Sequence, residues 1–266
     1  MNIAVCIKQV PGTSQVEIDP VTGVLKRDGV ESKMNPYDLY ALETALRFKQ
    51  EYGATVTAVT MGPPQAKEVI REAFMMGVDN GVILSDRRFG GADVLATSYT
   101  ISQGLRAAGD FDLIICGKQT TDGDTAQVRA EVAEYLDIPH VTSVCKIHKV
   151  TDKSITLDID TPLSIQTAVV EFPCLITVEK GIFEPRLPSY LLKLATEDRE
   201  IKVLTLDDMQ DKDPSRYGLN GSPTQVKRIF PPENSNTRES WDGTPAELTK
   251  KLYNFLNDNK YLQKLR

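Results

Sequence analysis

The residues best placed to do chemistry lie in the run Gly117-Lys118-Gln119-Thr120-Thr121-Asp122-Gly123-Asp124-Thr125-Ala126-Gln127-Val128. An apolar strand-like run (112–116) precedes it and a helix-like run (126–136) follows. A strand that ends in a small, polar, glycine-bearing turn and passes straight into a helix is how an open α/β sheet builds a nucleotide pocket. Backbone N–H groups and the positive end of the helix dipole then meet at the carboxyl edge of the strand. Gly117 and Gly123 allow close backbone approach, Thr120, Thr121 and Thr125 offer hydroxyls, and Gln119 and Gln127 offer amides. Asp122 and Asp124 would repel a phosphate. They suit helix caps, at about 1 kcal/mol each, or acceptors for ribose or adenine groups. Pattern alone also allows an ordinary turn with capping residues.

Two other segments belong at the same edge. Asn35-Pro36-Tyr37-Asp38 opens a helix, since Asn is a favoured N-cap and Pro suits the first helical position. Met61-Gly62-Pro63 ends the second strand of the pattern. No side-chain set looks catalytic: there is no G-x-G-x-x-G after the first strand, no G-x-x-x-x-G-K-[ST], no nucleophile elbow and no clustered Ser/His/Asp. Cys6, Cys116, Cys145 and Cys174 are far apart in sequence and sit in or beside apolar runs, so they read as buried free thiols, and neither a cluster nor a zinc site is supported. His140 and His148 lack ligand spacing.

The elements that must position these residues alternate. Strand patterns at 2–10, 54–61, 81–84 and 113–116 are separated by helical patterns beginning at 35, 63 and 93, and the helix at 126–136 follows the last of them. This implies βαβ units and a parallel sheet. From about 141 three strand-like runs (141–150, 154–159 and 163–171) come without helices, which predicts a β-meander extending the sheet, and 174–178 adds another strand. Beyond 180 the pattern loosens, and residues 207–225 and 231–245 are rich in Asp, Pro, Gly, Ser and Asn. The expected fold is α/β: a Rossmann-like, mostly parallel sheet with helices on both faces, a β-meander extension and a C-terminal arm. The expected division is an α/β nucleotide-binding domain over 1–180, with a loop and extended arm over 181–266 that contact partner subunits.

Composition narrows the function classes. A chain of 266 residues with 41% hydrophobic and 26% charged residues reads as globular. A net charge of −6 argues against a general nucleic-acid binder, which needs a basic face. No apolar run reaches the roughly 18 residues that span a bilayer, and Met1 to Val5 enters a strand pattern without a signal-peptide profile. These features favour the cytoplasm.

Taken in order, Val5-Cys6-Ile7-Lys8-Gln9-Val10, Met34-Asn35-Pro36-Tyr37-Asp38, Met61-Gly62-Pro63, Gly117-Lys118-Gln119, Asp122-Gly123-Asp124-Thr125-Ala126-Gln127 and Glu184-Pro185-Arg186 resemble the β (small) subunit of electron-transfer flavoproteins over essentially the whole chain. The resemblance implies pairing with a larger α subunit that carries a FAD. It also implies a nucleotide pocket at Cys6, Asn35, Pro36, Tyr37, Asp38, Met61 and the segment Gln119, Thr120, Thr121, Asp122, Gly123, Asp124, Thr125, Ala126, Gln127 and Val128. In non-bifurcating members this pocket holds structural AMP. In bifurcating members it holds a second FAD that takes a hydride from NADH; one electron then goes to ferredoxin or flavodoxin, the other through the α-subunit flavin to a dehydrogenase. The D-G-D-T-A-Q-V loop and the tail Gly221-Ser222-Pro223-Thr224-Gln225-Val226 look like the bifurcating proteins of anaerobic bacteria. On this reading the chain is a cofactor-holding subunit of an NAD- and ferredoxin-dependent flavin oxidoreductase. It supplies no acid–base side chains. The resemblance also places an apolar anchor for a dehydrogenase at Tyr190, with Leu191 and Leu192; Tyr stands where the family often has Leu.

Overall fold

The computed structural model describes residues 1–12, 32–123, 125–227 and 239–264. The turn signals at 19–23, Asp124 and part of the stretch 231–245 lie outside them. In chain order the elements are β1 (Asn2–Cys6), β2 (Gln9–Pro11), β3 (Ser32–Met34), α1 (Pro36–Tyr52), β4 (Thr55–Met61), α2 (Lys67–Met76), β5 (Asn80–Leu84), α3 (Val94–Ala108), β6 (Leu113–Gly117) and α4 (Val128–Leu136). They continue with β7 (His140–Val150), β8 (Ser154–Thr161), β9 (Ser164–Glu171), β10 (Cys174–Val178), α5 (Tyr190–Ala195), β11 (Ile201–Leu204) and α6 (Pro245–Asp258).

Among the described residues nine strands form one sheet in the order β11-β5-β4-β1-β6-β10-β7-β8-β9, and β2 pairs with β3 beside it. Pairing is parallel from β11 to β7, while β8 and β9 run antiparallel as the expected meander. The central strands are buried on both faces, which is why most read as apolar runs and β4 as a β-branched one. Ile3 and Val5 of β1 pack with α1 and α2. Ala4 and Cys6 turn to the other face, where α3 and α4 lie.

The helix boundaries follow local chemistry. α1 starts at Pro36 and stops at Gly53, whose φ of 66° is the left-handed conformation of a helix C-cap. Asp93 caps α3 by accepting the Ala96 N–H.

Two findings extend the sequence reading past residue 180. Ile201–Leu204 joins the sheet as a parallel edge strand on β5. Part of the stretch that composition reads as loose is packed: Leu206, Met209 and Tyr217 are buried against Phe89 and Tyr99, and Asp93 binds both the Thr224 N–H and hydroxyl at 3.0 and 2.7 Å. The chain divides into two compact units, Met1–Ile229 and Phe230–Arg266. Within the second, α6 opens with a reciprocal Thr244–Glu247 capping box, and Trp241 meets Phe255 edge-on at 5.6 Å.

Candidate functional site

The chain reverses direction across the sheet at β1. β4 and β5 lie to one side of it, and β6 and β10 to the other. In an open α/β sheet this switch point leaves a crevice at the carboxyl ends of the two central strands, where ligands bind. Cys6 ends β1 and Cys116 lies directly beside it on β6. The two thiols, 110 residues apart in sequence, are neighbours and free. The Cys116 thiol hydrogen-bonded to Cys6, together with burial, pushes the Cys6 thiol well above its ordinary pKa.

Three sequence-distant segments close on this crevice. Asn35 is fully buried, but its side chain caps nothing. Its Nδ2 donates to the Gln119 carbonyl at 2.9 Å, and its Oδ1 accepts the Thr121 N–H at 3.2 Å. The residue expected as a helix cap is thus a staple between the start of α1 and the loop after β6; its carbonyl accepts the Asp38 N–H, and its side chain also bonds the Asp38 carboxyl. Asp38 Oδ2 accepts the Lys8 N–H at 2.8 Å. Burial pushes the Asp38 carboxyl up to about 7, against the opposing pull of Asn35, Arg129 and Lys8.

Gly117 explains how these segments come so close. A Cβ there would lie 2.5 Å from Asp38 Oδ1 and 2.6 Å from the Tyr37 carbonyl carbon. Lys8 Nζ then reaches over to Asp122, 2.7 and 2.8 Å from its two oxygens. Burial alone would raise the Asp122 carboxyl, but Lys8 outweighs it and holds the group below its ordinary value. The capping role expected for Asp122 is therefore not what the structure has: it ties the loop to the residues after β1. Met61 stands at the same edge on β4, on the far side of β1 from β6.

The loop itself is open. Thr121, Asp122, Gly123, Thr125, Ala126 and Gln127 are exposed, and a Cβ at Gly123 would meet only the Thr120 hydroxyl oxygen, at 3.7 Å. Ala126 takes a positive φ of 56° on the way into α4, and α4 begins at Gln127 with no side-chain cap. Its first N–H groups are available to an anion. Sequence reading missed one residue here. Arg129, in the first turn of α4, is buried, and its charge is felt at both Asp38 and Cys6. The signal that could have found it is a cation in the first turn, where the helix dipole opposes it. An uncapped helix start, a buried guanidinium and an open glycine turn suit a phosphate-bearing nucleotide.

Tyr190, Leu191 and Leu192 belong elsewhere. Their helix α5 sits by the C-terminal end of α2, where the Ser189 N–H bonds the Met75 carbonyl at 2.8 Å. Tyr190 is 69% exposed and Leu191 77%, while Leu192 is half-buried; Leu187 and Leu194 add to the exposed apolar surface. The loop before α5 is anchored by Arg186, whose Nε and Nη2 grip the buried Glu43 of α1 at 2.7 and 2.9 Å.

Residues 22–209 match the Electron transfer flavoprotein domain. The chain belongs to the electron transfer flavoprotein family, as a beta subunit. It is 45% identical over 264 residues to the electron transfer flavoprotein subunit beta of Clostridium acetobutylicum, covering 98% of this chain and 100% of that one. It is 42% identical to the corresponding subunit of Thermoanaerobacterium thermosaccharolyticum over 97% of this chain and 98% of the relative. It is also 43% identical to the caffeyl-CoA reductase-Etf complex subunit CarD of Acetobacterium woodii, over 92% and 93% of the two chains. The mostly parallel sheet flanked by helices described above is consistent with that family.

Proposed function

We propose that this beta subunit holds a FAD in the crevice between β1 and β6 and works in a bifurcating electron-transfer flavoprotein. When bound, that flavin supplies the acceptance of a hydride from NADH and the division of its two electrons between ferredoxin or flavodoxin and, by way of the α-subunit FAD, a partner dehydrogenase. The protein's part is to bind and orient. Asn35 fixes the loop 119–121 to α1, the Lys8–Asp122 pair holds the turn, and the uncapped start of α4 would offer its N–H groups to the phosphates.

The observation that carries this reading is the Asn35 staple, which joins the N-P-Y-D and Q-T-T-D-G-D-T-A-Q-V segments at the switch point. The open turn at Gly123 supports a long dinucleotide. The name of the Acetobacterium relative, a subunit of a reductase–Etf complex, supports service to an acyl-CoA-type dehydrogenase; a 2-hydroxy-acid enzyme fits the same role. The exposed Tyr190–Leu191 surface is the docking point for that partner, and residues 181–266 carry the contacts with other subunits. No described helix is long and apolar enough to cross a membrane, and a cytoplasmic location is part of the proposal.

A second reading keeps the fold and pocket but fills the crevice with structural AMP. The same exposed turn is compatible with it. Chromatography of ligands released from the co-expressed αβ complex separates the two. Two FAD per heterodimer without AMP is the expected result; one FAD with one AMP rejects the bifurcating reading.

A further inference from the structure

Arg129 is the only buried basic side chain among the described residues, with 8% of its surface exposed. Two features make its position costly. It is the second residue of α4, where the helix dipole disfavours a cation. A guanidinium out of water also needs a counter-charge or a full set of acceptors.

The described residues do not supply that counter-charge in full. No described carboxylate forms an ion pair with Arg129, whereas the neighbouring cations Lys8 and Lys118 are each held at 2.7 Å by Asp122 and Glu179. Asp38 is the acidic group that feels Arg129, yet burial outweighs the guanidinium there and keeps the carboxyl tending towards its neutral form. The guanidinium thus sits close enough to Asp38 and Cys6 for its charge to act on both, without an ion-pair partner among the described residues, in the first turn of a helix whose start has no side-chain cap. An anion placed there would meet the guanidinium and the helix N–H groups at once, through charge-assisted hydrogen bonds.

We propose that Arg129 is the phosphate-reading residue of this crevice: its guanidinium, together with the open N–H groups of α4, takes a phosphate oxygen of the adenosine phosphate that binds there. This rests on the nucleotide-binding reading above and adds the group that sets specificity. The consequence is selection for phosphorylated adenosine, as free AMP or as part of a dinucleotide, over unphosphorylated adenosine. The competing role is purely internal, with Arg129 serving only to balance Asp38.

The test uses the co-expressed αβ complex stripped of the ligand of this crevice, with AMP and adenosine as probes in equilibrium dialysis. Loss of a charge-assisted hydrogen bond weakens binding by about thirtyfold. Arg129→Gln is therefore expected to lose that factor for AMP while adenosine stays within about twofold of the parent. Arg129→Lys should recover part of the AMP affinity. Equal weakening of both probes, or no change in either, overturns the proposal and leaves Arg129 an internal balancing charge. Phosphorus NMR of AMP on the unaltered complex gives a reading independent of how the variants fold. A guanidinium in contact lowers the second phosphate ionisation below its ordinary value of about 6, and an unshifted value overturns the contact. If the unaltered complex binds neither probe, the crevice reading itself fails; binding that is indifferent to Arg129 sinks the inference alone.

Discussion

Replacing Asn35 with Ala should loosen the crevice in a measurable way. The side chain is wholly buried and makes two bonds to the loop, at 2.9 Å to the Gln119 carbonyl and 3.2 Å from the Thr121 N–H. Each such bond contributes about 0.5–1.5 kcal/mol net, and a buried group left unpaired costs about 1–3 kcal/mol. Thr121 is exposed and can turn to water, while Gln119 is half-buried. The combined loss comes to about 2 kcal/mol, or roughly 4–8 °C in Tm for a chain of this size. Because the loop would no longer be held in place, AMP binding to the αβ complex should weaken about tenfold or more. Asn35→Ser sharpens the test, since Ser remains a good N-cap but is too short to hold both loop groups. Thermal unfolding and AMP titration of both variants decide the matter. If Asn35→Ser behaves like the parent, the residue is a cap after all; if Asn35→Ala binds AMP within twofold of the parent, the staple has no bearing on the pocket.

Three further outcomes follow from named contacts. Gly117→Ala forces a Cβ to within 2.5–2.7 Å of Asp38 and the Tyr37 carbonyl, so denaturant unfolding should register a loss of about 1–3 kcal/mol; a neutral result would mean the start of α1 can move away freely. Asp38 has a folded pKa of about 7 against an ordinary 3.8, so the native state holds its proton more tightly. Its favourable contribution is complete below 3.8 and is lost as pH rises to about 7. The urea midpoint of the parent should therefore fall more between pH 5 and pH 8 than that of Asp38→Asn, and parallel curves would contradict the assignment. Tyr190→Ala removes an exposed aromatic anchor and should weaken dehydrogenase docking by about 2 kcal/mol, with nucleotide content unchanged; unaltered affinity in a pull-down titration would remove α5 from the docking surface.

Local chemistry made much of this fold legible. Pro36 and Gly53 bracket α1 because a proline and a left-handed glycine act within a few residues of themselves. The two-sided burial of β1, β5 and β6 left continuous apolar runs, while β4 reads as a β-branched run of Val and Thr. What escaped was non-local. Asn35 has the residue type of a cap, but its partners lie 84 and 86 residues away. Cys6 and Cys116 look remote until the crossover sets their strands side by side. β11 has four residues and only Leu204 is buried, so its partner β5 defines it more than its own pattern does. Arg129 resembles an ordinary surface arginine, and only its clash with the helix dipole hints otherwise. Leu206, Met209 and Tyr217 are isolated apolar residues in a polar stretch and acquire their role from Phe89 and Tyr99.

The most direct measurement is a density map of the αβ complex purified with its native cofactors. The account places an adenosine phosphate at the carboxyl edge between Cys6, Asn35–Asp38 and Gln119–Val128, with its phosphate over the start of α4 beside Arg129. A map in which that edge is closed by the chain's own side chains, with every nucleotide bound elsewhere, would contradict it.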